Sequence, residues 1–468
     1  MRNFITIKES NYIKNNFEYF KENTMKKEDY LKKIGFSING NDDYSFNCNV
    51  FAKFFLQHID IVYQSNQENF AIYNQTNGVY ELHCLPTVKR IIKFFMNQAD
   101  DIWQPMYENL AIRSIKTDLN KIVMNFNDGN YINLRNGVLD LDDFKLYKHS
   151  PKYLSTIQLP FEYTGQRAMP IFKKYLNDIS CGEFDWQMLI QEIMGYCLSN
   201  STAAEKSFFF YGSGCNGKSV LAQIIQKLCG EGNYSNTSLS SLGGNFGLAQ
   251  LANSNVNISA ENNSSRINSE IFKAVVSGDT VEVNRKYKEA ISVKLHTKLV
   301  LLFNEMPSCD DLSYGFFRKI IIVPFKKKIP TEQIDVSLVS KLENELPAIF
   351  GWCIDGLMRL QNNNYQFTDC QASNVAMIEY QHLLNPVSDY FFNNYEPAYN
   401  GKIRRSELYS NYMLYCAENG IEAINRQGFW KMLKAALQDT RYGFKISKIR
   451  GYEYLKNFTT KTVFRERI

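Results

Sequence analysis

The chain holds 468 residues, 44% of them hydrophobic and 14% aromatic, with a formal net charge of +5. This length leaves room for two or three domains, and the apolar content excludes a disordered chain. The longest apolar runs, such as Leu299–Phe303 and Ile320–Val323, are far too short to cross a bilayer.

The opening MRNFITIKES has no apolar stretch behind a basic one, so no secretory signal is expected. Ten cysteines are scattered without a C-x-x-C pair, which argues against a zinc ribbon and fits a reducing, cytoplasmic setting. Charge is uneven. From Gly401 to Ile468 fourteen Lys/Arg stand against six Asp/Glu, a local +8 that leaves −3 for the rest. Such a basic, Tyr-rich end is either an appendage for a polyanion or an ordinary solvated face.

In chain order, residues 1–60 are expected to be helical and amphipathic, with charge-rich stretches such as Lys21–Lys33. From Phe70 the texture changes: FAIYNQTNGVYEL alternates around Asn77-Gly78, a hairpin signal. Helices are expected over about 87–125, and YINLRNGVLDLDDFKLY then reads strand–turn–strand. A helical stretch over about 168–200 would form a collar. Between 205 and 330 strands alternate with helices, the mark of a parallel α/β sheet. Its core strands are expected at Phe208–Tyr211, Val256–Ala260, Leu299–Phe303 and Ile320–Val323. Helices follow Pro330, NNNYQFTDC reads as a linker, and about 375–468 reads as three helices, the last Phe429–Leu437, then two short strands. That order suits a winged helix.

Gly212, Ser213, Gly214, Cys215, Asn216, Gly217, Lys218 and Ser219 spell G-x-x-x-x-G-K-[ST], with strand SFFFY before them and helix VLAQIIQKLC after. Glycines let backbone N–H groups wrap phosphates, and the helix N-terminus adds partial positive charge. Lys218 would reach the β- and γ-phosphates of ATP, and Ser219 would hold Mg²⁺. A P-loop ATPase also needs a carboxylate on a neighbouring strand tip. VNISAE ends in Glu261, and LVLLFNEMP places Asn304 at another tip, suited to the γ-phosphate or the lytic water. Each alone reads equally as a surface cap; behind a phosphate loop they read as a set.

The order of these motifs, with FKAVVSGDTVEVNRKYKEA and GFFRKIIIVPF between and after them, resembles superfamily 3 helicases. The branch is that of phage, plasmid and pathogenicity-island replication proteins related to poxvirus primase-helicases. The resemblance covers roughly 70–460 of the chain. It implies an α/β, AAA+-type P-loop ATPase core with a parallel sheet, a helical N-terminal region and a C-terminal winged-helix domain. The expected divisions are 1–165, mixed α/β; 166–204, collar; 205–365, motor; and 366–468, the basic winged-helix-like module. The resemblance implies rings of six translocating 3′ to 5′ on single-stranded DNA. It makes Lys218 and Ser219 the Walker A residues, Glu261 the Walker B carboxylate, Asn304 the sensor and Arg318 the finger that reaches a neighbour's ATP. It also makes Thr280–His296 a channel hairpin, with Lys286 and Lys288 near the DNA backbone.

Three departures stand out. Glu261 is followed by Asn262 rather than a second acid; Arg318 is followed by Lys319, so either could be the finger; and no primase module is visible at the N-terminus. Asp140-Leu-Asp142 is formally D-x-D but reads as a surface turn. In the C-terminal module Arg404, Arg405, Arg426, Lys431, Lys434, Lys448 and Arg450 are candidates for duplex origin DNA, a protein partner being the competing expectation. Two other functions remain open at this point: an origin-binding initiator that uses ATP only to assemble, and a P-loop ATPase of another class.

Overall fold

The structure, a computed structural model, describes residues 26–38, 43–64, 69–83, 85–98, 100–119, 122–123, 126–244, 246–252, 254–260, 266–285, 288–438 and 443–461. The chain divides into two compact units, Met1–Gln166 and Arg167–Ile468. Among the described residues no helix is long and apolar enough to cross a membrane.

In the first unit, helices Lys27–Lys33 and Cys48–His58 are separated by a small hairpin, Phe36–Ile38 with Tyr44–Phe46, so the run expected to be helical is interrupted. Residues 1–25 lie outside the described residues. Asn47 restarts the helix: its carboxamide oxygen accepts from the N–H groups of Asn49 and Val50 at 3.1 and 3.3 Å. Phe51, Phe55, Ile92 and Phe95 fill the core between the helices. The Asn69–Asn74 and Val79–His83 strands pair antiparallel, as the alternation around Asn77-Gly78 implies. Asp140 closes the strand Gly137–Asp140. Its carboxylate accepts from the Asp142 N–H at 2.9 Å, while Asp142 accepts from Asn130 at 2.6 Å. The D-x-D pair is a turn brace.

The second unit begins with two helices, α1 (Pro170–Ile179) and α2 (Phe184–Leu198). The elements β1 (Ser207–Tyr211), α3 (Lys218–Cys229), β2 (Tyr234–Ser235) and β3 (Val256–Ser259) follow. Next come α4 (Ser269–Ser277), the hairpin β4 (Thr280–Arg285) and β5 (Lys288–Lys294), then β6 (Lys298–Phe303), the short α5 (Tyr314–Phe317) and β7 (Ile320–Pro324). Five strands form one sheet in the order β2-β3-β6-β1-β7, every pair parallel. Both β3 and β6 are buried at every position, which is what helices on both faces require of a strand. The four strands expected from the apolar runs are all present, and the two-residue β2 adds an edge.

After α6 (Leu338–Glu343), α7 (Leu346–Asn362) lies along α2 at very short range. Two glycines permit it: a Cβ on Gly195 would fall 2.3 Å from the Cys353 carbonyl oxygen, and one on Gly356 would fall 2.5 Å from that of Gln191. Gly356→Ala is therefore expected to cost about 1–3 kcal/mol by overpacking. The check is a lower denaturant midpoint with an unchanged slope. The same helix pair buries Glu192, whose carboxylate is fully used. Arg359 Nε donates to it at 2.7 Å, and the Thr368 N–H and hydroxyl at 2.7 and 2.8 Å.

Helix α8 (Gln371–Leu384) is clamped to the edge strand, Ser373 Oγ donating to the Ile322 carbonyl at 2.5 Å, and to the loop after β6, Tyr380 donating to the Pro307 carbonyl at 2.8 Å. At Asn385 it passes straight into α9 (Pro386–Asn394). The terminal module continues with β8 (Tyr395–Arg404), α10 (Arg405–Glu418), α11 (Arg426–Gln438), β9 (Ile446–Ile449) and β10 (Tyr452–Thr460). Its sheet runs β8-β10-β9, antiparallel, over a core of Phe391, Leu408, Tyr412, Phe429, Leu433 and Leu455. Strand β8 is an addition to the elements expected from sequence. Its alternation is broken where the register shifts between Pro397 and Lys402, and a broken alternation carries no period-2 signal.

Candidate functional site

Strand β1 is buried from Phe208 to Phe210 and flanked on both sides, so the loop that leaves it emerges in mid-sheet. Gly212 N–H donates to the Phe303 carbonyl at 3.1 Å and fixes the exit. The chain then turns through left-handed conformations at Gly214 (φ +93°), Cys215 (+47°) and Gly217 (+89°) before α3 starts at Lys218. The outer flanks of this loop are crowded. A Cβ on Gly212 would fall 2.4 Å from Asn216 Nδ2, and one on Gly217 would fall 2.6 Å from Ile179 Cγ2. Bracing comes from outside the motif. Tyr175 donates to the Gly217 carbonyl at 2.8 Å, Asn216 Nδ2 to that of Phe325 at 3.4 Å, and the Ile329 N–H to that of Cys215 at 2.7 Å. The loop is thereby held open toward a cavity of about 990 Å³.

Lys218 is buried, and its ammonium donates to the Gly212 carbonyl and to Asn304 Oδ1, the latter at 3.1 Å. Burial lowers its pKa from the usual lysine value. Both of those acceptors are neutral, so the site gains by admitting an anion. Asn304, at the tip of β6, is thus brought to Lys218 across 86 residues of sequence. Ser219 and Ala260 line the same cavity, Ala260 following β3; Glu261, the next residue, lies outside the described residues. Among the described residues no three His, Cys, Asp or Glu side chains cluster to hold a metal. Of the two residues expected to hold Mg²⁺, Ser219 lines the cavity and Glu261 lies outside the described residues. Gly212 and Ser213 begin the loop, and Gly214 to Ser219 line the cavity.

Part of the remaining lining was not legible in any motif. It consists of Ile171 and Tyr175 from α1 and Ile334 and Leu338 from the segment entering α6. Two lysines on the rim are already paired, Lys327 with Asp178 at 3.3 Å and Lys341 with Asp335 at 2.6 Å. The Lys341 ammonium and the Ser337 hydroxyl and N–H hold the Asp335 carboxyl down to about 2. The only signal for this part was the apolar spacing Ile171, Tyr175, Ile179 on a helix.

Arg318 caps α5, just before β7. Ser207 at the start of β1 faces Ile320, and Tyr211 at its end faces Pro324. Arg318 therefore sits at the opposite end of the strands from the phosphate loop, roughly 15 Å away at the rise of a five-residue strand. It is 45% exposed, and its Nη1 meets Glu205 Oε2 at 2.8 Å. Lys319 is buried, donating to Glu205 at 3.0 Å and to Ser277 Oγ at 2.5 Å.

The segment 280–294 is a hairpin, with Arg285 opposite Lys288. Its tip, which includes Lys286, lies outside the described residues; Lys288 opens β5. In the terminal module the seven basic candidates divide. Arg404 stacks on Tyr452 at 3.7 Å, and Arg405 stacks on Trp430 at 4.2 Å and pairs with Glu453. These two brace the module internally. Arg426, Lys431, Lys434, Lys448 and Arg450 are not held in this way, and Lys431 is exposed. Lys431 and Lys434 lie on α11 away from its buried stripe of Phe429, Trp430, Leu433 and Leu437.

The parallel sheet with a glycine-rich phosphate loop leaving an interior strand defines a mixed α/β protein with a P-loop core. Residues 107–181 match the family described as D5 N terminal like, and 384–467 match Poxvirus D5 protein-like. Between them, 210–318 match a family of unknown function, DUF5906. The "Putative helicase L207/L206" of Acanthamoeba polyphaga mimivirus is 27% identical over 226 residues, 44% of this chain and 22% of that protein. The chain thus spans about a fifth of that relative's length. Two apo structures of the NrS-1 C terminal region are similar at 14% and 11% identity, with TM-scores of 0.49 and 0.48. They cover 86% and 88% of this chain and 96% and 99% of theirs. These matches support kinship with the D5-like replication helicases at both flanks of the sheet domain.

Proposed function

We propose that the chain is an ATP-driven DNA helicase with an AAA+-type, superfamily 3 motor working as a ring, most simply of six copies. One observation carries this reading: Lys218 and Asn304 meet at one end of the sheet, while exposed Arg318 stands at the other. A finger so placed serves a neighbouring subunit's nucleotide rather than its own, and Lys319, being buried, does not compete for the role.

In the assembled site, ATP lies along the loop with its phosphates on the N–H groups of Gly214 to Ser219. Lys218 neutralises the β- and γ-oxygens. Asn304 orients a water in line with the γ-phosphorus, Glu261 accepts its proton, and the β–γ bridging bond breaks with ADP as leaving group. Ser219 and Glu261 would hold Mg²⁺, which would supply charge neutralisation for the phosphates. Arg318 of the adjacent copy stabilises the charge that spreads over the γ-oxygens. Closure of that interface moves the 280–294 hairpin, and Lys286 and Lys288 grip phosphates of a single strand, 3′ to 5′ by the family resemblance.

We read 366–468 as ending in a winged helix that presents α11 to duplex DNA at an origin. Arg426, Lys431, Lys434, Lys448 and Arg450 would make its phosphate contacts. Lys431→Ala and Lys434→Ala are each expected to weaken DNA binding across all sequences and to reduce the salt slope by about 1. Fluorescence anisotropy over a salt series reads this; an unchanged slope in both variants removes the module from DNA. The experiment for the motor is ATP turnover with and without single-stranded DNA, together with unwinding of a tailed duplex by the assembled protein. DNA-independent turnover and an intact duplex would return the chain to an ATP-assembled initiator or another P-loop class.

A further inference from the structure

Arg318 is not a free side chain. Its guanidinium is held by Glu205 at 2.8 Å, and the same carboxylate oxygen accepts from Lys319 at 3.0 Å. The two cations differ sharply in surroundings: the Lys319 side chain is 5% exposed and that of Arg318 45%. Lys319 is itself pinned by Ser277 Oγ at 2.5 Å. The arrangement is a chain of contacts from the end of α4, through Lys319 and Glu205, to an exposed arginine.

The backbone around Glu205 is shaped for this role. Glu205 adopts φ +48°, a left-handed conformation that a glutamate takes up only when its surroundings hold it there. Its N–H donates to the Thr202 carbonyl at 2.9 Å, closing the turn that leads into β1. The neighbouring Lys206 ammonium donates to the Arg318 carbonyl, so backbone and side chain of Arg318 are fixed from the same turn. Lys319 and Arg318 together hold the Glu205 carboxyl below the usual glutamate range, so it is ionised at neutral pH.

We propose that Glu205 is the positioning residue of Arg318, orienting the guanidinium toward the nucleotide of the adjacent copy, with buried Lys319 as its anchor. This rests on the reading that Arg318 acts in trans. A free arginine would sample many rotamers, and placing it in advance removes part of that ordering cost from the transition state. Glu205 touches neither substrate nor its own chain's phosphate loop, which lies at the far end of β1.

The test is subunit mixing. Glu205→Ala and the milder Glu205→Gln are each assembled alone, with Lys218→Ala, or with Arg318→Ala subunits, and ATP turnover is read as kcat and KM. Alone, Glu205→Ala is expected to lose about 10-fold or more in kcat with KM for ATP within about 2-fold, because its nucleotide pocket is intact. Lys218→Ala subunits, which carry an intact finger, should restore turnover; Arg318→Ala subunits should not. Restoration by Arg318→Ala, or a wild-type kcat in both Glu205 variants, overturns the proposal. Raised KM with no restoration by either partner marks a merely structural role and also overturns it. Lys218→Ala mixed with Arg318→Ala is the control: if that pair fails to recover, the trans reading itself is at fault, independently of Glu205. Should Glu205→Ala fold poorly, shown by its melting curve, Glu205→Gln decides in its place, because it keeps the side chain's size.

Discussion

Lys218→Ala is expected to lower ATP turnover by on the order of 10³-fold, the scale of removing one preorganised donor from a developing charge. The protein itself should stand. In the folded chain this ammonium is buried against the Gly212 carbonyl and Asn304, with burial lowering its pKa. Deleting it removes an incompletely compensated charge along with two hydrogen bonds, and these changes oppose one another. The check pairs steady-state turnover with a thermal melt. Lost turnover with a melting temperature near wild type is the expected result, and turnover within a few-fold of wild type would remove the loop from the chemistry.

Arg318→Ala should have an effect of similar size by a different route. A finger in P-loop enzymes contributes ~10³–10⁵ in rate, and here it is to be lost from a residue at the far end of the strands. The variant's own phosphate loop is untouched, so nucleotide binding should persist. Mixing Arg318→Ala with Lys218→Ala subunits then creates some interfaces with both a competent loop and a competent finger. Partial recovery, peaking at intermediate ratios, is the expected outcome. No recovery at any ratio would argue that each copy completes its own site.

Much of this arrangement was readable from the chain alone, for physical reasons. The loop Gly212–Ser219 is a local object: its glycines, lysine and helix start lie within eight residues, so spacing alone defines it. The core strands were visible because strands covered on both faces are continuous apolar runs, as in Leu299–Phe303. What escaped is what depends on contacts distant in sequence. Tyr175 reaches Gly217 across 42 residues, and Glu205 reaches Arg318 across 113. Nothing in the composition of α1 or of the turn before β1 marks those partners. The basic terminal stretch shows the opposite limit. Seven cations looked alike in sequence, yet Arg404 and Arg405 spend their charge on Tyr452, Trp430 and Glu453. Aromatic faces elsewhere in the module decided that.

Helix α8 gives the terminal module a mechanical character. It is fastened to the edge strand at Ile322 and to the loop after β6 at Pro307, and it runs into α9 with only Asn385 between. Asn385 also donates to the Met432 carbonyl in α11. The module is therefore mounted as a crank on an axle rather than as a bead on a string. A displacement of β7 would accordingly be passed along α8 and through Asn385 to α11.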